Sequence, residues 1–123
     1  MADYIDWTGT NGPYRYFFLD TPADAASIKK EAGNYMFVKP TDKGWLPVYI
    51  GIADDLSTRI SGHDRWNDAV KAGAKRVMAH IEADAATRQA EERDLIAFWN
   101  PPLNTQHRQA PTGLGGLGFL GRK

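Results

Sequence analysis

The segment VYIGIADDLSTRISGH, from Val48 to His63, changes its periodicity halfway along its length. Its first residues are mostly β-branched or aromatic and indicate a strand, and the two aspartates that follow mark a turn and offer a helix N-cap. Leu56, Arg59, Ile60 and His63 then recur at i, i+3, i+4 and i+7, which is one face of a helix. The segment predicts a strand followed by a short helix whose apolar face carries an arginine and a histidine.

The flanking sequence predicts further elements. Upstream, NYMFVKP and the turn TDKGW predict a hairpin partner for the strand, and Tyr35 and Tyr49 share one face of that hairpin if the pairing register is even. Downstream, NDAVKA predicts a second helical piece and KRVMAHIE a third strand. ATRQAEERDLIAFWN predicts a last helix that Asp84 caps and Pro101 stops. The composition of YRYFFLD is typical of a strand, and the composition of ADAASIKKEA is typical of a short helix.

Composition limits the classes of function. A chain of 123 residues is long enough for one domain with its own core. Fifteen basic residues balance fifteen acidic ones, so nucleic-acid binding would depend on a local site. Cysteine is absent, which excludes disulfides and cysteine-ligated zinc. With no apolar run long enough for a membrane span, we expect a soluble, cytoplasmic protein without a membrane partner.

Three polar side chains on predicted apolar faces are candidate site residues. Glu92 projects into the middle of the apolar arc of the last helix, with Glu91 at its edge. A buried carboxylate needs a partner, which is either an ion pair with Arg59 or Arg88 or a divalent cation. Arg59 either extends its guanidinium to water or holds a phosphate. His63 is either a structural residue or an acid, base or hydrogen-bond donor at the same site.

The order of these residues resembles that of the GIY-YIG nuclease domain. The matching residues are Gly33-Asn34-Tyr35, Tyr49-Ile50-Gly51, Leu56, Arg59, His63, Glu92 and the segment Asn100-Pro101-Pro102-Leu103-Asn104. Arg59 follows Tyr49 by ten residues, and Asn104 follows Glu92 by twelve. Each triplet alone is a weak signal, whereas the ordered set is specific.

The resemblance covers residues 31–104 and implies an α/β (α+β) fold: a small three-stranded antiparallel sheet flanked by helices, with one catalytic face. Residues 1–30 are then an N-terminal extension, and whether they pack on the sheet as an extra strand stays open. Residues 105–123 are expected to form a flexible glycine-rich tail, since the GLGGLG within them lacks the strand and helix of a phosphate-binding loop.

The resemblance also implies a metal-dependent endonuclease that hydrolyses phosphodiester bonds, of DNA rather than RNA, with one Mg²⁺ or Mn²⁺ on Glu92. By the same matching, the other site residues are Tyr35 close to the attacked phosphate, Tyr49 as general base or water-positioner, Arg59 on the phosphate, His63 assisting the base, and Gly51 and Asn104 on the substrate side. A phenol has a pKa near ~10, so it accepts a proton from water only where nearby cations stabilise its phenolate. Arg59 and the metal ion would supply that charge.

Two residues depart from the family pattern. Asn34 replaces an apolar residue in the first triplet, and Ile52 follows the second triplet where many members carry a polar or basic residue. Ile52 motivates the alternative hypothesis, a catalytically weak or inactive nuclease-like module that binds nucleic acid or protein. A protein partner or a homodimer stays open. His80 and His107 lack the spacing of a zinc site, and we expect His80 to be an ordinary strand residue.

Overall fold

Five antiparallel strands form one sheet in the computed structural model, which describes residues 3–19 and 30–104. The strands are β1 (Tyr4–Trp7), β2 (Tyr14–Leu19), β3 (Gly33–Thr41), β4 (Gly44–Ala53) and β5 (Arg76–Ile81). Their order across the sheet is β1-β2-β5-β3-β4. The α/β class and the antiparallel arrangement of β3, β4 and β5 are therefore confirmed.

The N-terminal extension adds two strands to the predicted three. YRYFFLD forms β2, which pairs with β5, and β1 pairs with β2 at the edge of the sheet. The sequence does not predict β1, because only two of its four residues, Ile5 and Trp7, face the core. Most of the helix predicted over 23–32 and the whole tail over 105–123 lie outside the described residues.

The register of the β3–β4 hairpin places the two motif tyrosines on one face. Tyr35 pairs with Gly51, and Phe37 pairs with Tyr49. Since directly paired residues project to the same side and side chains alternate along each strand, Tyr35, Phe37 and Tyr49 share a face. A register shift between Phe37 and Val38 lies beyond these pairs and does not disturb them.

Among the described residues after the hairpin, three helices have six residues or more: α1 (Leu56–Ser61), α2 (Trp66–Lys71) and α3 (Ala85–Trp99). The side chain of Asp55 caps α1, which ends at Gly62, and the side chain of Asp84 caps α3. Asn100, in the left-handed conformation with φ 48°, ends α3 just before Pro101. Within the described ranges, no helix has the length and apolarity that crossing a membrane requires.

The helices cover opposite faces of the sheet and create two cores. Helices α1 and α2 pack on the face that carries the motif tyrosines, which we call the tyrosine face. Its core comprises Tyr35, Phe37, Val48, Tyr49, Ala53, Leu56, Ile60, Ala69, Ala74, Val77, Ala79 and Leu103. Helix α3 packs on the other face, the α3 face, whose core comprises Trp7, Tyr16, Met36, Val38, Ile50, Met78 and Leu95.

Candidate active site

Three motif side chains meet on the tyrosine face beneath the end of α1. The hydroxyl oxygen of Tyr35 lies 2.6 Å from Nε2 of His63. The ring of Tyr49 lies 5.2 Å from that of His63 and 6.2 Å from that of Tyr35, measured between centroids. Tyr35 is 1% exposed, Tyr49 7% and His63 6%. Strand pairing and the turn after α1 therefore bring together residues that are up to 28 positions apart.

The tautomer of His63 follows from its backbone contact. The backbone N–H of Arg65 donates to Nδ1 of His63 at 3.0 Å. A neutral imidazole has one protonated nitrogen, so the proton lies on Nε2 and is donated to the Tyr35 hydroxyl oxygen. The hydroxyl hydrogen of Tyr35 is thereby left to point to another acceptor.

Arg59 is exposed, and its cation acts on Tyr35. Burial raises the pKa of Tyr35 far above its usual range, and Tyr49 raises it further through charge and hydrogen bonding. Arg59 opposes these effects by its positive charge and a hydrogen bond. The predicted helix face is confirmed for Leu56 and Ile60, which are buried, whereas Arg59 faces solvent beside the cluster. His63 is buried too, but it lies in the turn after the end of α1 and not on the helix.

Gly51 makes room for the Tyr35 side chain. A Cβ at Gly51 would lie 2.5 Å from the Tyr35 hydroxyl oxygen and 2.6 Å from Cζ of that ring. No side chain tolerates such overlap without displacing the tyrosine. The second motif triplet therefore requires glycine at its third position because the tyrosine of the first triplet packs against it.

The expectation that Glu92 is the inward carboxylate of α3 is wrong in one respect. Glu91 is the buried one, at 3% exposure, whereas Glu92 is half-buried. The hydrophobic residues Leu95, Ile96 and Trp99 predict an apolar arc that contains Glu92, but the buried side of α3 is centred on Leu95 and includes Glu91. Among the described residues, Glu92 forms no ion pair with Arg59 or Arg88. Arg88 instead pairs with Asp54 at 3.1 Å.

Glu92 is half-buried on α3, and its charge acts on Tyr16 of the α3 face but is not among the charges that act on Tyr35. Burial raises the pKa of Glu92, and only the charge of Arg93 opposes that effect. Residues 3–19 and 30–104 contain no group of three or more His, Cys, Asp or Glu side chains that could enclose a metal ion. A single carboxylate nevertheless fits Mg²⁺, which keeps several water ligands and often takes one or two protein carboxylates.

Asn104 acts through the edge of β4. Its side-chain oxygen accepts from the Ile50 backbone N–H, and its side-chain nitrogen donates to the Ile50 carbonyl, both at 2.8 Å. This pair caps a strand edge and fixes the chain end of the matched region beside the tyrosine hairpin. Both polar groups of Asn104 are engaged with β4, so contact with substrate would require this pair to open.

The two departures from the family pattern lie on the α3 face. Asn34 is fully buried, and its side-chain nitrogen donates to the Arg88 carbonyl at 3.0 Å, which joins β3 to α3. Ile52 pairs with Asn34 and alternates with Gly51, so it projects away from Tyr35 and Tyr49. Ile52 therefore does not contact the tyrosine cluster.

One buried polar cluster was not found from the sequence. Tyr16, His80 and Glu91 meet on the α3 face, where the Tyr16 hydroxyl donates to Glu91 Oε2 at 2.7 Å. His80 Nε2 lies 2.7 Å from the same oxygen, in an ion pair when the imidazole is protonated. This nitrogen meets the distance but not the direction of a hydrogen bond, so electrostatic attraction is the relevant term. The alternation within YRYFFLD was the available signal, since Tyr16 shares parity with Tyr14 and Phe18.

Known structures resemble this fold. The GIY-YIG N-terminal endonuclease domain of UvrC from Thermotoga maritima bound to magnesium matches at 22% identity and a TM-score of 0.51, over 63% of this chain and 88% of that one. A point mutant of the same domain, bound to its catalytic divalent cation, matches at 23% identity with the same TM-score, over 63% of this chain and 87% of that one. No protein-family model and no curated protein matches the sequence. The chain therefore has the fold of the GIY-YIG endonuclease domain.

Proposed function

We propose that this protein is a metal-dependent endonuclease that hydrolyses phosphodiester bonds of nucleic acid, with DNA as the preferred substrate. The observation that carries the proposal is the buried hydrogen bond between Tyr35 and His63, which lies beside Tyr49 and an exposed arginine. The half-buried Glu92, whose pKa burial raises, supports a divalent cation as cofactor. The magnesium-bound neighbour supports the same choice of metal.

Tyr35 acts in this proposal as a neutral hydrogen-bond donor. Its raised pKa keeps the phenol protonated at neutral pH, so it is unsuited to accept a proton from water. His63 Nε2 donates to its oxygen, and Tyr49 is its second hydrogen-bond partner. Donation to a non-bridging phosphate oxygen therefore requires the Tyr35 hydroxyl hydrogen to turn from Tyr49 to the substrate. The His63 contact also polarises this hydroxyl, which strengthens that donation.

Tyr49, the other tyrosine of the pair, contacts the attacking water in this proposal. As a phenolate, which Arg59 and the metal ion would stabilise, its oxygen takes the proton of that water while the water oxygen forms its bond to phosphorus. The bond to the leaving oxygen breaks, and the departing alkoxide takes a proton from solvent. Arg59 supports this step with a positive charge that offsets the negative charge on the phosphoryl oxygens. A divalent ion on Glu92 would supply Lewis-acid stabilisation. Because Glu92 lies on α3, which packs on the opposite face from the tyrosine cluster, the nucleic acid would have to contact both.

Cleavage assays on paired variants test the proposal. Purified protein is incubated with plasmid, single-stranded DNA and RNA in Mg²⁺ or Mn²⁺, beside Glu92→Gln and the matched exposed control Glu31→Gln. We expect DNA cleavage by the wild type and Glu31→Gln, and a loss of at least about 10²-fold in Glu92→Gln. Equal cleavage by all three proteins would show that Glu92 is not the metal ligand or that the activity is a contaminant.

Binding without cleavage would favour the alternative function. The tyrosine pair is almost fully covered, which is also compatible with a nuclease-like module that binds nucleic acid and does not turn it over. In that case, DNA affinity measured by fluorescence anisotropy would be the same for Glu92→Gln and wild type, and neither metal would support product formation.

A further inference from the structure

The cluster of Tyr16, His80 and Glu91 lies outside the tyrosine face and is not used by the proposed reaction. Glu91 is 3% exposed and Tyr16 is fully buried. The rings of Tyr16 and His80 stack with centroids 4.6 Å apart, and both side chains meet the same carboxylate oxygen of Glu91. The cluster joins β2 and β5 to α3 across the core of the α3 face.

A buried carboxylate of this kind is a poor source of stability. Its desolvation costs several kcal/mol, and well-packed apolar side chains in its place are often neutral or stabilising. The carboxylate instead orients the helix, because the hydrogen bond of 2.7 Å from the rigid Tyr16 ring fixes the position of Glu91. Burial raises the pKa of Tyr16 well above its usual range, and the charge of Glu91 raises it further, so the hydroxyl remains a donor.

Glu91 immediately precedes Glu92 on α3. Successive helix residues differ by about 100°, so Glu92 lies on a different flank from the residue that Tyr16 holds. A rotation of α3 about its axis would move the Glu92 carboxylate. The hydrogen bond from Tyr16 to Glu91 resists such a rotation, and it lies one residue from Glu92. The N-terminal hairpin holds the same helix at Asp94, which accepts from the backbone N–H groups of Thr10 and Asn11 and from the Tyr14 hydroxyl.

We propose that the hydrogen bond from Tyr16 to Glu91 is a positioning contact that sets the rotation of α3 and thereby the placement of Glu92. The inference rests on the proposed role of Glu92 as the metal ligand. It gives the N-terminal strands, which lie outside the motif region 31–104, a function in the site: β2 supports the helix that carries the cation ligand. In this role, Tyr16 and Glu91 would act through Glu92 and would not themselves be metal ligands.

Mn²⁺ binding to the whole 123-residue chain, followed by electron paramagnetic resonance, tests this role without turnover. Tyr16→Phe removes the donor, and we expect the Mn²⁺ dissociation constant to rise about tenfold, as for loss of other contacts that orient a metal ligand. The matched control is Tyr14→Phe, which removes a hydroxyl of the same hairpin from the same helix. Asp94 keeps its two backbone bonds there, so we expect a change below about twofold.

A second variant separates positioning from stability. Tyr16→Phe combined with Glu91→Leu replaces the polar pair by apolar side chains, which should restore the melting temperature to about the wild-type value. We expect its Mn²⁺ affinity to stay about tenfold weak, because packing restores stability but not the directed contact. Glu91→Gln keeps an acceptor for Tyr16 and should bind Mn²⁺ within about threefold of wild type.

The outcomes distinguish the two proposals. Equal Mn²⁺ affinity of Tyr16→Phe and Tyr14→Phe, or recovery of affinity in the double variant, would overturn the positioning role. Loss of binding in Glu91→Gln as severe as in Glu92→Gln would make Glu91 itself a ligand and also overturn it. If the wild type binds no Mn²⁺ that depends on Glu92, the proposed metal-dependent function fails, and the positioning role fails with it.

Discussion

The two faces of the sheet each bury a tyrosine against a histidine, and the two pairs differ in the charge beside them. On the tyrosine face, Tyr35 accepts a hydrogen bond from His63, and the exposed cation of Arg59 acts on it. On the α3 face, Tyr16 stacks on His80 and donates to the carboxylate of Glu91. Burial raises the pKa of both tyrosines.

The neighbouring charge decides what each pair can do. An anion beside Tyr16 adds to the effect of burial and keeps that hydroxyl a fixed donor to its partner. A cation beside Tyr35 opposes burial and offers an attractive site for an incoming phosphate. Similar residue types therefore form a closed structural contact on one face and a candidate reaction site on the other.

Removing the cation should produce the largest effect on activity. Arg59→Leu removes the cation that opposes the effect of burial on Tyr35. We expect DNA cleavage to fall by about 10²–10³-fold, because charge on the phosphoryl oxygens loses its stabilisation. Initial rates at saturating Mg²⁺ check this result.

Arg15→Leu is the control for the Arg59 variant. Arg15 is an exposed cation of β2 that pairs with Asp6 at 2.8 Å, so its loss removes one positive charge without touching the tyrosine cluster. Rates that fall equally in the two variants would mean that Arg59 contributes only to the overall charge of the surface.

Filling the space under Tyr35 should have the next largest effect. The Cβ introduced by Gly51→Ala overlaps the Tyr35 hydroxyl, so the ring must shift away from His63. We expect a loss of about 1–3 kcal/mol in the free energy of unfolding, together with reduced cleavage. Urea denaturation measures the former.

Gly62→Ala is the matched control for Gly51→Ala. A Cβ at Gly62 meets nothing closer than the Thr58 carbonyl oxygen at 3.9 Å, so we expect stability within about 0.5 kcal/mol of wild type. If both alanines were tolerated alike, the packing of Tyr35 against Gly51 would not be what holds the tyrosine in place.

The sequence alone predicts most of the tyrosine face. Strand parity places Tyr35 and Tyr49 together once the hairpin register is even. Helix periodicity places Leu56 and Ile60 on the same side, and the turn after α1 brings His63 there. The aspartate caps and the stop at Pro101 follow from local chemistry of the backbone. These features depend on short stretches of chain, which is why local patterns suffice to predict them.

The α3 face could not be predicted because its contacts join distant segments. Tyr16 and Glu91 are 75 residues apart, and no local rule tells which of two adjacent glutamates will meet a buried hydroxyl. An apolar arc drawn only from hydrophobic residues moves the predicted centre of burial toward Glu92. In the structure, Tyr16 of β2 provides a polar partner for Glu91, and Glu91 is therefore the buried glutamate. The sequence of α3 alone does not contain this information.

The smallest expected effect separates the two adjacent carboxylates by pH. The raised pKa of Glu92 means that the native state holds this proton more tightly than the unfolded chain does. Its ionisation therefore lowers stability as pH rises from about the ordinary value of 4.5 through the raised pKa. In metal-free buffer, Glu92→Gln should melt above wild type at pH 7, and the difference should vanish below pH ~4.

Asp94→Asn, on the same helix, should behave oppositely. The hydrogen bond from Tyr14 is the largest of the effects that lower the pKa of Asp94, so its ionised form stabilises the native state above the ordinary value of 3.8. Asp94→Asn should melt below wild type at pH 7, and the deficit should shrink as pH falls through the lowered pKa. A Glu92→Gln variant that also melted below wild type at pH 7 would show that Glu92 has a favourable partner in the native protein. Its carboxylate would then be a structural group like Glu91 rather than a ligand poised for a cation.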